Sequence, residues 1–339
     1  MKKAIILLFA LIYSAAQCQA QEIHTARVIF YNTENFFDTI KDPVTDDGEF
    51  TPAGKAHWTA ERYQHKLTNI SKVLRLMTEK IPPLFIGLGE IENKHVSEDI
   101  ASHPNLSKYD LGVIEQDSPD PRGIDMALLY NKKLVTIVAS EFLTVKLPDI
   151  DRGTRDILYI KGIVGGGDLH VFVSHFPSRR EGRLLSEPRR MAAVQVIKNK
   201  ISQIKALDSS AYILIMGDMN DNPTDSSMVY GFGAREPEDI LARDTLYDLM
   251  SKPYRDGQYT LRYRGENDVF DQMIVSANLL NTNTPIHLKT NVGNIFKERW
   301  LLYDSPKYGL MPNRTYIGTK YIGGFSDHLP VYIDIILGN

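Results

Sequence analysis

Cysteine is all but missing: among 339 residues, Cys18 is the one thiol. It falls in a segment, residues 1–20, that has the form of an export leader. Lys2 and Lys3 precede an apolar run from Ala4 to Tyr13, and Cys18-Gln19-Ala20 makes a small-x-Ala cleavage site. With that leader removed, the chain has no disulfide, no cysteine-held zinc and no thiol nucleophile. Long apolar runs are also lacking, and the leader's own run is too short to span a bilayer. The expectation is a signal peptide over residues 1–20, a single domain over residues 21–339, and a product that is secreted or periplasmic, without stable membrane insertion. Lipid anchoring through Cys18 is not expected, because Gln17 stands where a small residue belongs. An excess of basic charge is missing too. Lys and Arg number 39 against 42 Asp and Glu, and loss of the leader's two lysines moves the formal charge from −3 to −5. That balance excludes tight, nonspecific DNA binding, but not turnover of a weakly held nucleic acid. No heptad or fixed-period repeat, HExxH string or glycine-rich P-loop occurs, so solenoids, zinc proteases and P-loop nucleotide enzymes are excluded.

What is present is a recurring pattern of apolar strands that end in polar groups. The run Ile213-Leu214-Ile215-Met216-Gly217 reads as a buried strand and opens into Asp218-Met219-Asn220. A strand over Ala26–Tyr31 runs into Asn32 and Glu34, and Leu84–Leu88 runs into Glu90. Between them, Thr59 caps a predicted helix over residues 60–79 with Leu67, Ile70, Val73, Leu74 and Met77 on one face, giving a strand–helix–strand unit. Arg122 leads into a strand at Met126–Tyr130. Residues 157–164 and 169–174 form a predicted hairpin around three glycines, ending at His175 and the basic loop Arg179-Arg180. A second helix is predicted from Pro188 to Leu207, a short one over residues 244–251, and strands over residues 259–263 and 271–275. Asp327-His328 precedes the last strand.

Each of these ends, taken singly, is also what a turn would use: Asp and Asn form turns, and a lone His or Arg after a strand is commonly solvated. Together they make a coherent donor set of carboxylates, carboxamides, two imidazoles and guanidiniums. Oxygen donors select hard cations such as Mg²⁺, Mn²⁺ or Ca²⁺. Two histidines beside carboxylates suit acid–base work on a phosphate ester, and arginine forks suit its oxygens.

The strings YNTEN, LGEIEN, RGIDMALLY, SHFPSRR, MGDMN, FDQM and FSDHLP follow one another between residues 31 and 330. In kind and order they resemble the endonuclease/exonuclease/phosphatase superfamily of DNase I and the exonuclease III-type enzymes. The resemblance implies an α/β fold, a four-layer sandwich of two packed mixed β-sheets flanked by helices. It implies a metal-dependent phosphodiesterase, a nuclease first of all, with a phosphomonoesterase or a phospholipid or sphingomyelin phosphodiesterase as alternative enzymes. A non-catalytic binding module is the remaining alternative. By the same resemblance Glu90 is the principal metal carboxylate, with Glu34 and Asp327 on the metal or its water shell. Asn32, Arg122, Arg179 and Asn220 would meet the phosphate, and Asp218 the nucleophile. His328, oriented by Asp271, would be a base or an electrostatic clamp. His175, with Glu115 as partner, would protonate the leaving oxygen. Gly89 stands where many members carry Gln. The expected partner is a phosphate-ester substrate, nucleic acid first, and no protein partner is expected.

Overall fold

The computed structural model describes residues 24–238 and 241–338, so the leader of residues 1–20 lies outside the described residues. Two sheets form the centre. The first runs Leu111–Glu115, Asp125–Asn131, Pro83–Ile91, His24–Phe36, Val331–Leu337 and Ile286–Leu288, with Asn294–Ile295 also on the Val331–Leu337 strand. The second runs Val135–Leu143, Ile157–Val164, Gly167–His175, Tyr212–Asp218, Asp271–Ser276 and Leu246–Asp248.

The facing sides of the two sheets bury Val28, Phe30, Phe85, Leu128, Val171, Val173, Leu214, Met216 and Met273 in one apolar layer. Helices cover both outer sides. Ala60–Met77 begins at Thr59, whose side chain accepts the Arg62 N–H, and lays Ile70, Val73, Leu74 and Met77 on the first sheet. Lys94–Ser102, a stretch without a clear period in the sequence, packs beside it through Val96 and Ile100. Arg183–Leu207 covers the second sheet with Val194, Ile197, Ile201 and Ile204. The molecule is the α/β sandwich of the DNase I type.

In each sheet the two central strands are parallel, while their other neighbours are antiparallel. His24–Phe36 pairs in parallel with Pro83–Ile91 across the predicted strand–helix–strand unit. Gly167–His175 pairs in parallel with Tyr212–Asp218, opposing His175 to Asp218. Parallel strands present their carboxyl ends on one side, and both pairs deliver their terminal polar residues to the same mouth. The second pair approaches closely at Gly217. A Cβ there would stand 2.0 Å from the Ser174 carbonyl oxygen, so no larger residue fits before Asp218.

Several boundaries differ from expectation. The long helix starts at Arg183, with Pro188 inside its second turn. The missing proline N–H leaves only the carbonyl of solvent-facing Leu184 without a helical donor, and water can satisfy it. Residues 244–250 are not helical: Leu246–Asp248 is the edge strand of the second sheet, and the short helix is Ser251–Arg255. The strand expected over residues 259–263 covers Leu261–Tyr263 and pairs locally with Glu266–Asp268.

Candidate active site

The backbone at the mouth is irregular where the chemistry sits. The register slips between Asn32 and Phe36 on one strand, and between Gly89 and Ile91 on its neighbour. Such bulges re-aim side chains at a strand end. Glu34, Asn35, Glu90 and Asn220 all take left-handed φ values, between 45° and 59°, which non-glycine residues seldom adopt. Strain of this kind collects at functional sites because the surrounding structure over-determines it. Beneath Glu90, Gly89 leaves room for the Phe30 ring, which would lie 3.3 Å from an added Cβ.

Asp218 is the hub. Its Oδ2 accepts from Asn32 Nδ2 at 3.0 Å and lies 3.4 Å from His175 Nε2 and 3.7 Å from His328 Nε2. Its Oδ1 accepts the Asn220 N–H at 2.9 Å. Burial pushes the Asp218 carboxyl up to about 6, against the pull of the His328 charge. Asn32 joins the sheets, since the same amide reaches Glu90 Oε1 at 3.5 Å while its Oδ1 accepts the Glu34 N–H at 3.0 Å.

The two histidines are in opposite states. His328 Nδ1 is 2.8 Å from Asp271 Oδ2, and the charges of Asp271 and Asp218 overcome burial and raise the imidazole well above its ordinary range. His175 is equally buried, but burial and the guanidiniums of Arg155 and Arg122 hold it far below that range, so it is neutral. Its Nδ1 has no hydrogen-bond partner among the described residues. Glu115 is not its partner: that carboxylate gathers instead with Asp117 and Asp125.

The arginines divide unexpectedly. Arg179 departs from its expected substrate role: its guanidinium donates to the Asn220 carbonyl at 2.6 Å and to Asp221, and also pairs with Asp225. It therefore fixes the Asn220 turn. Arg180, next in sequence, is exposed and has no ion pair among the described residues. Arg122 is held by Asp120 through Nε at 3.2 Å. Asp120 is held in turn by Arg155, a residue that sequence reasoning passed over. Arg155 is buried and donates to Asp120 at 2.8 Å and to the carbonyls of His175 and Phe176 at 3.2 and 2.6 Å. No motif marks Arg155, because its partners come from two segments distant from it in sequence.

Beside this hub a cleft of about 650 Å³ is lined by Glu34, Phe50, Lys55, Arg122, Arg180 and Arg314, among others. Glu90, in contrast to the other acids, accepts among the described residues only from neutral donors, the Asn35 N–H at 2.7 Å and the Asn32 amide. A carboxylate that makes no ion pair among the described residues, set beside the Asn32 and Asn35 groups, fits a hard divalent cation. Glu34, expected on the metal or its water shell, has both oxygens engaged, by Arg314 Nε at 3.0 Å and the Thr315 N–H at 2.7 Å. Burial still raises the Glu34 carboxyl, to about 7. Asp327 Oδ2 accepts from Arg314 Nη2 at 2.9 Å.

A family model described as Endonuclease/Exonuclease/phosphatase family matches residues 27–336. No curated protein sequence matches the chain. Among solved structures, D. rerio TDP2 complexed with a single-strand DNA product is 14% identical, with TM-score 0.53, covering 92% of this chain and 98% of that one. An endonuclease/exonuclease/phosphatase family protein from Bacteroides thetaiotaomicron is 13% identical, with TM-score 0.57 and coverages of 94% and 96%. The human Nocturnin catalytic domain with a bound sulfate anion is 15% identical, with TM-score 0.54 and coverages of 92% and 94%. At such identities the likeness is one of fold.

Proposed function

Because this chain belongs to the endonuclease/exonuclease/phosphatase family and is a metal-dependent phosphoric ester hydrolase, we propose that it is an exported nuclease. Its reaction would be hydrolysis of phosphodiester bonds by in-line attack of water. The observation that carries this reading is the Asp218 carboxylate, set among Asn32, neutral His175 and charged His328. A carboxylate raised to about 6 is largely ionised at neutral pH, yet more basic than an ordinary Asp, and so suits a general base for water. The His328 imidazolium, fixed by Asp271, would stabilise charge growing on the phosphoryl oxygens and hold a proton for the leaving oxygen. Neutral His175 would orient the water or the Asp218 carboxylate through Nε2. Glu90 would hold the divalent cation, which when bound supplies Lewis-acid neutralisation at the phosphate. Asn220 keeps one amide hydrogen beyond its 2.9 Å bond to the Phe176 carbonyl, available to a phosphate oxygen.

Nucleic acid is favoured as substrate by the unpartnered Arg180 and by Lys55 and Arg122 along the cleft. The fold neighbour that holds a single-strand DNA product adds support. Among the described residues no helix is long and apolar enough to cross a membrane. Export itself belongs to this proposal and rests on the residues 1–20 pattern, to be checked by N-terminal sequencing of the mature protein.

The test is hydrolysis of single- and double-stranded DNA, RNA, a phosphatidyl or sphingomyelin lipid and a chromogenic monoester, with Mg²⁺, Mn²⁺ or EDTA. Metal-dependent cleavage of nucleic acid, lost in Asp218→Ala and Glu90→Gln, is expected. Turnover of lipid or monoester alone would keep the site and move the substrate.

A further inference from the structure

We propose that a pocket bounded by Arg122 and Arg180 binds the dianion of a terminal phosphate monoester, so that the enzyme favours strands carrying a phosphate at one end. This rests on the nuclease reading given above and adds a subsite to it. The pocket, of about 240 Å³, lies outside the Asp218 hub and is lined by five guanidiniums, those of Arg122, Arg152, Arg155, Arg180 and Arg189. Arg122 and Arg180 also line the larger cleft, so they form the boundary between the two. Arg155 ties the pocket to the catalytic end of the second sheet, because its guanidinium holds the His175 and Phe176 carbonyls. The Phe176 carbonyl in turn accepts from the Asn220 amide. On another side the Asp46 N–H donates to the Pro121 carbonyl at 2.8 Å, which joins the loop carrying Asp46 to the Asp120–Arg122 arm.

Charge and unused donors point to an anion. Three carboxylates share the lining, Asp46, Asp120 and Glu181, and a fourth, Asp149, pairs with Arg189 at 2.8 Å. Five guanidiniums against these four acids leave the pocket positive. The acids also leave N–H groups over. Arg122 gives Nε and Nη2 to Asp120, and Arg189 gives Nε and Nη2 to Asp149 and Glu181, so Nη1 of each has no acceptor among the described residues. Arg152 and Arg180 are exposed and make no ion pair among the described residues. Guanidinium forks match phosphate oxygens, and several together favour a dianion over the single charge of a phosphodiester. Size and lining exclude the rest of a nucleotide. The volume falls below the roughly 300 Å³ at which ordinary ligand pockets begin, and no aromatic ring lines it to stack on a base. A strand running along the cleft cannot thread so small a pocket, whereas a phosphate at its end fits.

Two measurements on the full mature chain test this, one of them independent of nuclease activity. With EDTA present to keep metal from the hub, calorimetry follows binding of inorganic phosphate to wild type, Arg152→Ala and Lys55→Ala. Arg152 lines only the pocket and Lys55 only the cleft, so the two substitutions remove the same charge from different places. Wild type should bind one phosphate, with affinity lowered roughly tenfold in Arg152→Ala and unchanged in Lys55→Ala, as loss of one charge-assisted fork implies. The second measurement is kcat/KM with Mg²⁺ on one oligonucleotide carrying a 5′-phosphate, a 3′-phosphate or hydroxyls at both ends. One phosphorylated form should be favoured roughly tenfold, and Arg152→Ala should abolish that preference. Absence of phosphate binding, an equal effect of the two substitutions, or equal rates on every form of the strand would overturn the proposal. Phosphate bound as expected while no strand is cut would overturn the nuclease reading instead and leave the pocket in place.

Discussion

His328 Nδ1 stands 2.8 Å from Asp271 Oδ2 with both side chains buried, and this contact keeps the imidazole charged. Asp271 is fully buried behind His328 and would act through that ring. Asp271→Asn should therefore return the His328 titration towards the ordinary imidazole range and lower kcat by about 10²- to 10⁴-fold with a small change in KM. An NMR titration of the His328 ring beside steady-state kinetics checks both. Loss of activity without a shift in the ring's titration would exclude this role.

The pH–rate profile follows from Asp218. Its carboxyl is raised from 3.8 to about 6 by burial, so activity should fall as pH drops through about 6 and the base is protonated. Bound divalent metal favours the ionised form and moves this limb to lower pH. Profiles of kcat/KM taken at several Mn²⁺ concentrations should show the limb moving down as metal rises.

Arg179 and Arg180 are adjacent and should behave differently. Arg180→Ala should raise KM for a nucleic acid roughly tenfold, leave kcat nearly unchanged and flatten the salt dependence. Arg179→Ala removes one of the two arginines on each of Asp221 and Asp225 and frees the Asn220 turn, so it should lower both thermal stability and kcat. Equal effects of the two substitutions on KM would contradict this division.

Arg155 secures the His175 strand end and the Asp120–Arg122 arm from a buried position. Removing one partner of a buried ion pair costs about 3–5 kcal/mol. Arg155→Met should lower stability by about that amount in urea unfolding, with activity falling even where the protein remains folded.

Asp248 has a different pH signature. It is buried, with Oδ1 accepting the Met250 N–H at 2.9 Å and Oδ2 unpartnered among the described residues, and burial raises it from 3.8 to about 7. The folded state then holds a proton that the unfolded state has lost, so stability declines as pH rises from about 4 to about 7 and stays low above. Asp248→Asn should remove that decline, an effect bounded at roughly 4 kcal/mol above pH 7 and small near pH 4. Thermal unfolding at both pH values decides it, and an equal shift at each would refute the account.

The polar strand ends were legible because an apolar run fixes where a strand stops, and Asn32, Glu90, His175 and Asp218 each sit one step beyond such a run. The structure brings these four together with Asp271 and His328. Local pattern could not show which acids already have cations. Glu34 and Arg314 are 280 positions apart, and Thr315, which ties Lys66 to them, lies in a tract with no strong period. Nor could it separate Arg179 from Arg180, because neighbours of identical chemistry are distinguished only by which way the loop turns them. The edge strand at Leu246 was misplaced because three residues carry no period, and its identity depends on a partner strand elsewhere.

The first strand of the sandwich pairs with the last, His24 opposite Leu337. During synthesis the slot beside the first strand stays open until Val331–Leu337 has left the ribosome, and His328 arrives with the same late segment. Contacts so distant in sequence close slowly and late. A nascent chain would thus carry Glu90 and Asp218 without the His328 ring that faces Asp218, and the site would stay incomplete until that segment arrives.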